Sequence, residues 1–152
     1  MSEQDLSVII HTDGGARGNP GPAGAGFVIV DAADNQPIFE GGLFLGRATN
    51  NVAEYKGVIG ALRVASRLGA SRVTLQSDSQ LLVRQINGQY RVKNAGLKPL
   101  YEQAKQLQAG FDSCEFRHVR REENTDADRL VNRAIDAKKH VEGAADWADI
   151  LA

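Results

Sequence analysis

Apolar and β-branched residues fill Leu6–Thr12 (LSVIIHT) with little interruption, the pattern of a central strand buried on both faces. The run ends in Asp13-Gly14-Gly15-Ala16-Arg17-Gly18-Asn19-Pro20-Gly21-Pro22, a dense cluster of turn-forming residues. Ala23–Val30 and Pro37–Leu45 read as two more strands, and the polar turn Asp31–Gln36 between them predicts a hairpin. The period then changes. From Asn51 to Leu68 apolar positions recur at helical spacing, with Thr49 or Asn50 as N-cap and Gly69 just past the C-terminus. Ser71–Gln76 reads as a short strand, and Gln80–Ile86 as a short helix stopped by Asn87-Gly88. Pro99–Ala109 follows as a helix and Ser113–Val119 as the last strand. Thr125–Ala137 is the last helix, with Leu130, Val131, Ala134 and Ile135 on one side. Lys138–Ala152 is alanine-rich, carries Asp146, Trp147 and Asp149, and reads as an appendage.

Three strands followed by alternating helices and strands predict an α/β domain with a mixed sheet over residues 5–137, and a tail over 138–152. Ligands of such sheets sit outside the carboxyl ends of the central strands. Attention therefore falls on whatever follows the strands that begin at Leu6 and Ser71.

The length of 152 residues suits one domain with a substantial core. A content of 42% hydrophobic and 24% charged residues excludes a disordered or fibrous chain. The net charge of −1 selects no partner, although a local basic stripe would still serve a nucleic acid. Cys114 is the only cysteine, which rules out an internal disulfide and argues against a cysteine-rich zinc site. Met1–Asp5 lacks the basic flank of a signal peptide, and no apolar stretch nears the roughly 20 residues of a membrane span. The expectation is a cytoplasmic enzyme or binding domain with no membrane partner, of a size suited to a monomer.

Candidate chemistry lies in the carboxylates. Asp13 follows VIIHT and Asp78 follows VTLQS, so neighbouring strands would aim both side chains into one crevice. Each aspartate alone has an ordinary alternative as a turn or cap residue. Glu54 is harder to dismiss: it shares a helical stripe with Val58, Ala61, Ala65 and Leu68, which should face the sheet. A carboxylate there is costly unless paired or metal-bound, and the helix dipole would favour it equally on the solvent side. Asp128 has a strong alternative, because Thr125-x-x-Asp128 resembles a capping box. Four carboxylates at element ends nonetheless fit a site for Mg²⁺ or Mn²⁺. The glycine-rich segment after Asp13 matches neither a P-loop nor G-x-G-x-x-G, and reads as a compact turn that lets a ligand approach the backbone.

The segments TDGGARGNPGPAGAGFVI, TNNVAEYKGVIGAL, LQSDSQLLVRQINGQY and REENTDADRLVNRA together resemble type 1 ribonuclease H in order and spacing. The resemblance runs from about Asp5 to Ala137, and each segment carries one of the four carboxylates. It implies a ribonuclease H-like fold: a five-stranded mixed sheet, order 3-2-1-4-5, with helices on both faces. It implies that Asp13, Glu54, Asp78 and Asp128 form a catalytic, metal-holding tetrad for two Mg²⁺ ions, with Mn²⁺ as substitute. In that scheme Asp13 bridges both ions, Glu54 and Asp78 complete one side, and Asp128 the other. The implied reaction is endonucleolytic hydrolysis of the RNA strand of RNA–DNA hybrids, leaving 5′-phosphate and 3′-hydroxyl ends.

Asn19, Asn50, Asn51 and Gln80 match family positions that contact the hybrid minor groove, where amides can read 2′-hydroxyls. Thr49 fits a DNA-strand phosphate contact, with helix capping as its alternative. Arg84, Arg91, Lys93, Lys98 and Lys105, against Glu102 alone, form a basic stretch in which Arg91 and Lys93 are candidates for a DNA phosphate track. GQYRVKNAGLKPLYEQ leaves no room for the basic helical protrusion of longer bacterial members, which tilts the resemblance to the archaeal-like branch. Two residues compete for a role beside Asp128. His118 has the spacing of a mobile bacterial histidine but sits in a segment that reads as strand. Arg121 lies in the polar loop and is favoured. The rival class is a non-catalytic nucleic-acid binding domain on the same fold, which would lose at least one carboxylate. A metal-dependent phosphatase would leave the amide cluster unexplained.

Overall fold

A computed structural model describes residues 5–147; the remainder of the predicted tail, Asp149 included, lies outside the described residues. Strand β1 (Leu6–Ala16) pairs antiparallel with β2 (Gly21–Asp31), which pairs antiparallel with β3 (Pro37–Ala48). Helix α1 (Asn50–Arg67) then crosses to β4 (Ala70–Ser77), which lies parallel to β1 on its other side. Helices α2 (Gln80–Ile86) and α3 (Lys98–Ala109) precede β5 (Ser113–His118), parallel to β4. Helix α4 (Thr125–Ala137) follows a 3-10 turn at Arg121–Glu123, and the described chain ends with β6 (Val141–Glu142) and the single turn α5 (Gly143–Asp146).

The sheet order is β5-β4-β1-β2-β3-β6. This corrects the expected five strands in the order 3-2-1-4-5, because a sixth strand is added outside β3. Gly41 and Gly42 of β3 pair with Glu142 and Val141. The segment expected to be an appendage therefore closes one edge of the sheet. Its Ala144 is fully buried, and Trp147 meets Phe39 edge-on at 5.4 Å while Phe39 stacks on Phe27 at 5.5 Å.

Alternation along β1 separates two cores. Val8 and Ile10 face the larger one, under α1 and α2, with Val58, Leu62, Val73, Leu75 and Leu82. Ile9 faces a smaller one under α4, built on Val28, Val30, Leu130 and Ala134. Expected element boundaries shift most at the site. β1 does not end at Thr12 but continues through Ala16, paired with β2, so the glycine-rich segment is largely strand rather than loop. On the other flank β4 stops at Ser77, opposite Thr12. The sheet therefore steps down beside Asp13 and opens a crevice there.

Candidate active site

Register brings the first two carboxylates together. Thr12 and Ser77 are partners in the parallel β1–β4 pair, so Asp13 and Asp78 follow side by side. Glu54 arrives from α1, whose first turn is held by Thr49: its hydroxyl oxygen accepts from Val52 N–H at 3.2 Å. Gly14 decides how close that helix comes. A Cβ at Gly14 would lie 2.4–2.5 Å from backbone atoms of Ala53 and Glu54. The glycine thus admits the backbone of the chain's own helix, not that of a ligand as the sequence pattern suggests. Asp13, Glu54 and Asp78 each offer an oxygen within 4.8 Å of the others.

Asp128 joins from the opposite face. Asn124, not Thr125, is the N-cap of α4, and no side-chain cap bond forms there, so the expected capping box is absent. The carboxyl of Asp128 instead lies within hydrogen-bonding reach of Asp13. Asn124, which no sequence pattern singles out, sets this up. It is 2% exposed, its amide donates to Thr12 C=O at 2.6 Å, and its own C=O accepts from Asp128 N–H at 3.1 Å. The start of α4 is thereby tied to β1 one residue before Asp13.

The electrostatics follow from this crowding. Burial first, then the charge of Asp78 and contact with Asp128, hold Asp13 well above the usual carboxylate range. Burial, with Asp13 and Asp78 behind it, pushes Glu54 up to about 9. Asp78 is also raised by burial, with Arg121 the main opposing influence. Carboxylates that resist ionisation together become stable anions beside a cation. An all-oxygen donor set suits a hard divalent ion. The residues present fit such an ion.

The cleft has a volume of about 400 Å³ and is lined by the four carboxylates together with Arg17, Asn50, Arg121 and Asn132. The two contenders beside Asp128 separate here. Arg121 lines the cleft, whereas His118 is exposed at the end of β5 and does not. Among the predicted groove-reading amides, Asn50 Oδ1 accepts from Ala16 N–H at 2.8 Å and Asn19 Oδ1 accepts from Asn50 N–H at 3.0 Å. Both acceptors are engaged within the protein, which leaves their NH₂ groups to donate. Asn51 and Gln80 are exposed in the first turns of α1 and α2. Arg91 and Lys93 are exposed on the α2–α3 connection and do not line the cleft. Sequence reasoning misses Arg17, whose partners lie more than a hundred positions away.

The fold and this site define an α/β domain of the ribonuclease H-like fold with an acidic cleft fitted to divalent cations. The Reverse transcriptase-like family profile matches residues 11–134. A bifunctional protein of Mycobacterium tuberculosis, Rv2228c, is 45% identical over 148 residues, covering 97% of this chain and 41% of its own. The chain thus spans about two fifths of the length of the mycobacterial relatives it matches. The solved N-terminal RNase H domain of Rv2228c superposes with a TM-score of 0.84 at 46% identity, over 88% of this chain and 96% of that one. Ribonuclease HI of Halobacterium salinarum, an archaeon, is 43% identical over 124 residues, covering 82% of this chain and 62% of its own. LC11-RNase H1, solved in complex with an RNA/DNA hybrid, has a TM-score of 0.81 at 42% identity, over 86% of this chain and 98% of that one. The chain belongs to the type 1 ribonuclease H family.

Proposed function

We propose that this chain hydrolyses the RNA strand of RNA–DNA hybrids, with Asp13, Glu54, Asp78 and Asp128 holding two divalent ions, Mg²⁺ in the first instance. The observation that carries this reading is the convergence of three carboxylates within 4.8 Å, with Asp128 beside them, in a family member whose relative LC11-RNase H1 has been solved on such a hybrid. Bound ions would supply Lewis-acid stabilisation of the attacking and leaving oxygens of an in-line displacement.

The chain's own residues do the rest. Asp13 neighbours the other three carboxylates and would be shared between the ions, with Glu54 and Asp78 holding one and Asp128 the other. The amide donors of Asn19, Asn50, Asn51 and Gln80 face the minor groove of the hybrid, where the 2′-hydroxyl separates RNA from DNA. Arg121 approaches the scissile phosphate as a fixed positive charge, since a guanidinium cannot act as a base. Cleavage leaves a 3′-hydroxyl and a 5′-phosphate. Among the described residues no helix is long and apolar enough to cross a membrane; a monomer working on hybrids in the cytoplasm completes the reading proposed.

An end-labelled RNA–DNA hybrid, the matching RNA–RNA and DNA–DNA duplexes, and a phosphomonoester test the reading with Mg²⁺ or with EDTA. The expected result is Mg²⁺-dependent internal cleavage of the hybrid RNA strand. Asp13→Asn should abolish nearly all turnover while hybrid binding survives. Near-native turnover by Asp13→Asn would sink the two-metal assignment, and binding without cleavage by the wild type would favour the non-catalytic rival.

A further inference from the structure

Arg17 and Arg121 are the only cations among the described residues lining the acidic cleft. Arg121 acts electrostatically on Glu54 and Asp78. Arg17 stands elsewhere. It follows β1 directly, four residues beyond Asp13, or about 13 Å along an extended strand. Its guanidinium lies on α4, where Nη1 donates to Asp136 at 2.6 Å and Nη2 to Asn132 at 3.3 Å. Asp128, Asn132 and Asp136 are four residues apart and share one helix face. Arg17 therefore continues, at the far end of that face, the wall that Asp128 begins.

The backbone beneath Arg17 is fixed as firmly as its side chain. Arg17 N–H donates to Pro22 C=O at 2.8 Å, closing the hairpin. A Cβ at Gly21 would lie 2.1 Å from Arg17 O, so only glycine lets the two strands meet there. An exposed ion pair such as Arg17–Asp136, with side chains 47% and 67% exposed, contributes little stability. Such an arrangement does orient a cation. A guanidinium has five N–H donors, and the two bonds to Asp136 and Asn132 leave three for a further acceptor.

A polyanionic strand laid across four carboxylates must be held on either side of them by positive charge. Ions held by the carboxylates would neutralise the scissile phosphate and leave its neighbours to the protein. We infer that Arg17 binds a backbone phosphate of the cleaved RNA strand flanking the scissile one, at the end of the cleft away from Arg121. This rests on the ribonuclease H reading above and adds to it a binding residue that none of the family motifs singles out. Asp136 and Asn132 orient the guanidinium for this contact.

The test measures hybrid affinity against salt by fluorescence anisotropy, using the full chain with Asp13→Asn throughout to prevent cleavage. Arg17→Ala should weaken binding about tenfold and lower the slope of log affinity against log salt by about one. Asp136→Ala breaks the same ion pair but keeps the cation, and should leave the slope unchanged or steeper. Neutral methylphosphonates flanking the cleavage site in the RNA strand should erase the difference between parent and Arg17→Ala; the same change in the DNA strand should not. An unmoved slope in Arg17→Ala overturns the inference, as does an equal flattening by Asp136→Ala, which would mark a purely structural pair. If the wild type cleaves hybrid in either case, only the role of Arg17 falls. Failure of the wild type to bind or cleave any hybrid would remove the underlying reading and this one together.

Discussion

Asp13 and Glu54 differ from ordinary surface acids because the fold buries them against like charge. Arg121 and His118 show the converse: two plausible residues, of which position selects one. Arg121 lies in the cleft and lowers the cost of ionising both Glu54 and Asp78, whereas His118 is exposed on the last residue of β5. Arg121→Ala should therefore lower turnover at least tenfold, a rise in the barrier of about 1.4 kcal/mol. His118→Ala should stay within about twofold of wild type, under half a kcal/mol on the same scale. The reverse ranking in single-mutant kinetics would assign the assisting role to the histidine.

At the scale of elements, the α2–α3 connection offers a partner an exposed basic stretch. Residues 87–97 contain no helix, consistent with the missing protrusion. Val92 and Leu97 are buried and anchor the connection in the main core, which turns Arg91 and Lys93 outward on either side of Val92. Arg84 donates to the Tyr90 hydroxyl at 2.7 Å and sits 5.2 Å from the ring centroid, stiffening the approach to this stretch. Replacing Arg91 and Lys93 together with Ala should weaken hybrid binding irrespective of sequence. It should also flatten the salt dependence by about 0.9 for each phosphate that the protein no longer neutralises. A slope identical to wild type would show that these side chains are merely solvated.

For the whole molecule, the acidic cleft is a stability cost that the rest of the fold carries. Glu54 is held near 9 in the folded state, against roughly 4.3 in an unfolded chain. A carboxylate raised on folding keeps its proton in the native state while the unfolded state releases it. Its contribution is therefore fully present below the unfolded value and is lost as pH rises toward the folded one. Without divalent ions, the melting temperature should fall between about pH 5 and pH 9 by this linkage. Glu54→Gln should flatten that fall and raise Tm in EDTA at alkaline pH, by about 2–4 °C for each kcal/mol relieved. Added Mg²⁺ should raise the wild type more than the variant. Calorimetry across pH in EDTA checks this, and a wild-type profile as flat as that of Glu54→Gln would refute the buried-charge account.

Patterns confined to one element are legible in the order of residues alone. The helical stripe through Glu54, Val58, Ala61 and Ala65 announces an inward carboxylate, and α4 spans the predicted Thr125–Ala137, because helical periodicity and capping act over a few neighbouring residues. Motif spacing also marks the four carboxylates, although Asp128 taken alone reads first as a cap at that level. What the chain alone leaves undecided depends on partners far apart in sequence. β1 runs on into its turn-rich segment because β2 pairs with it through Ala16. Val141–Glu142 is a strand only because the edge of β3 is there to receive it, and two residues carry no periodicity of their own. The role of Gly14 is set by a helix remote in sequence but in contact through space, at Ala53 and Glu54. Arg17 reaches Asp136 across 119 positions. Local preference can choose helix or strand, but which backbones touch, and which charges are forced to share a crevice, is decided only when the sheet closes around them.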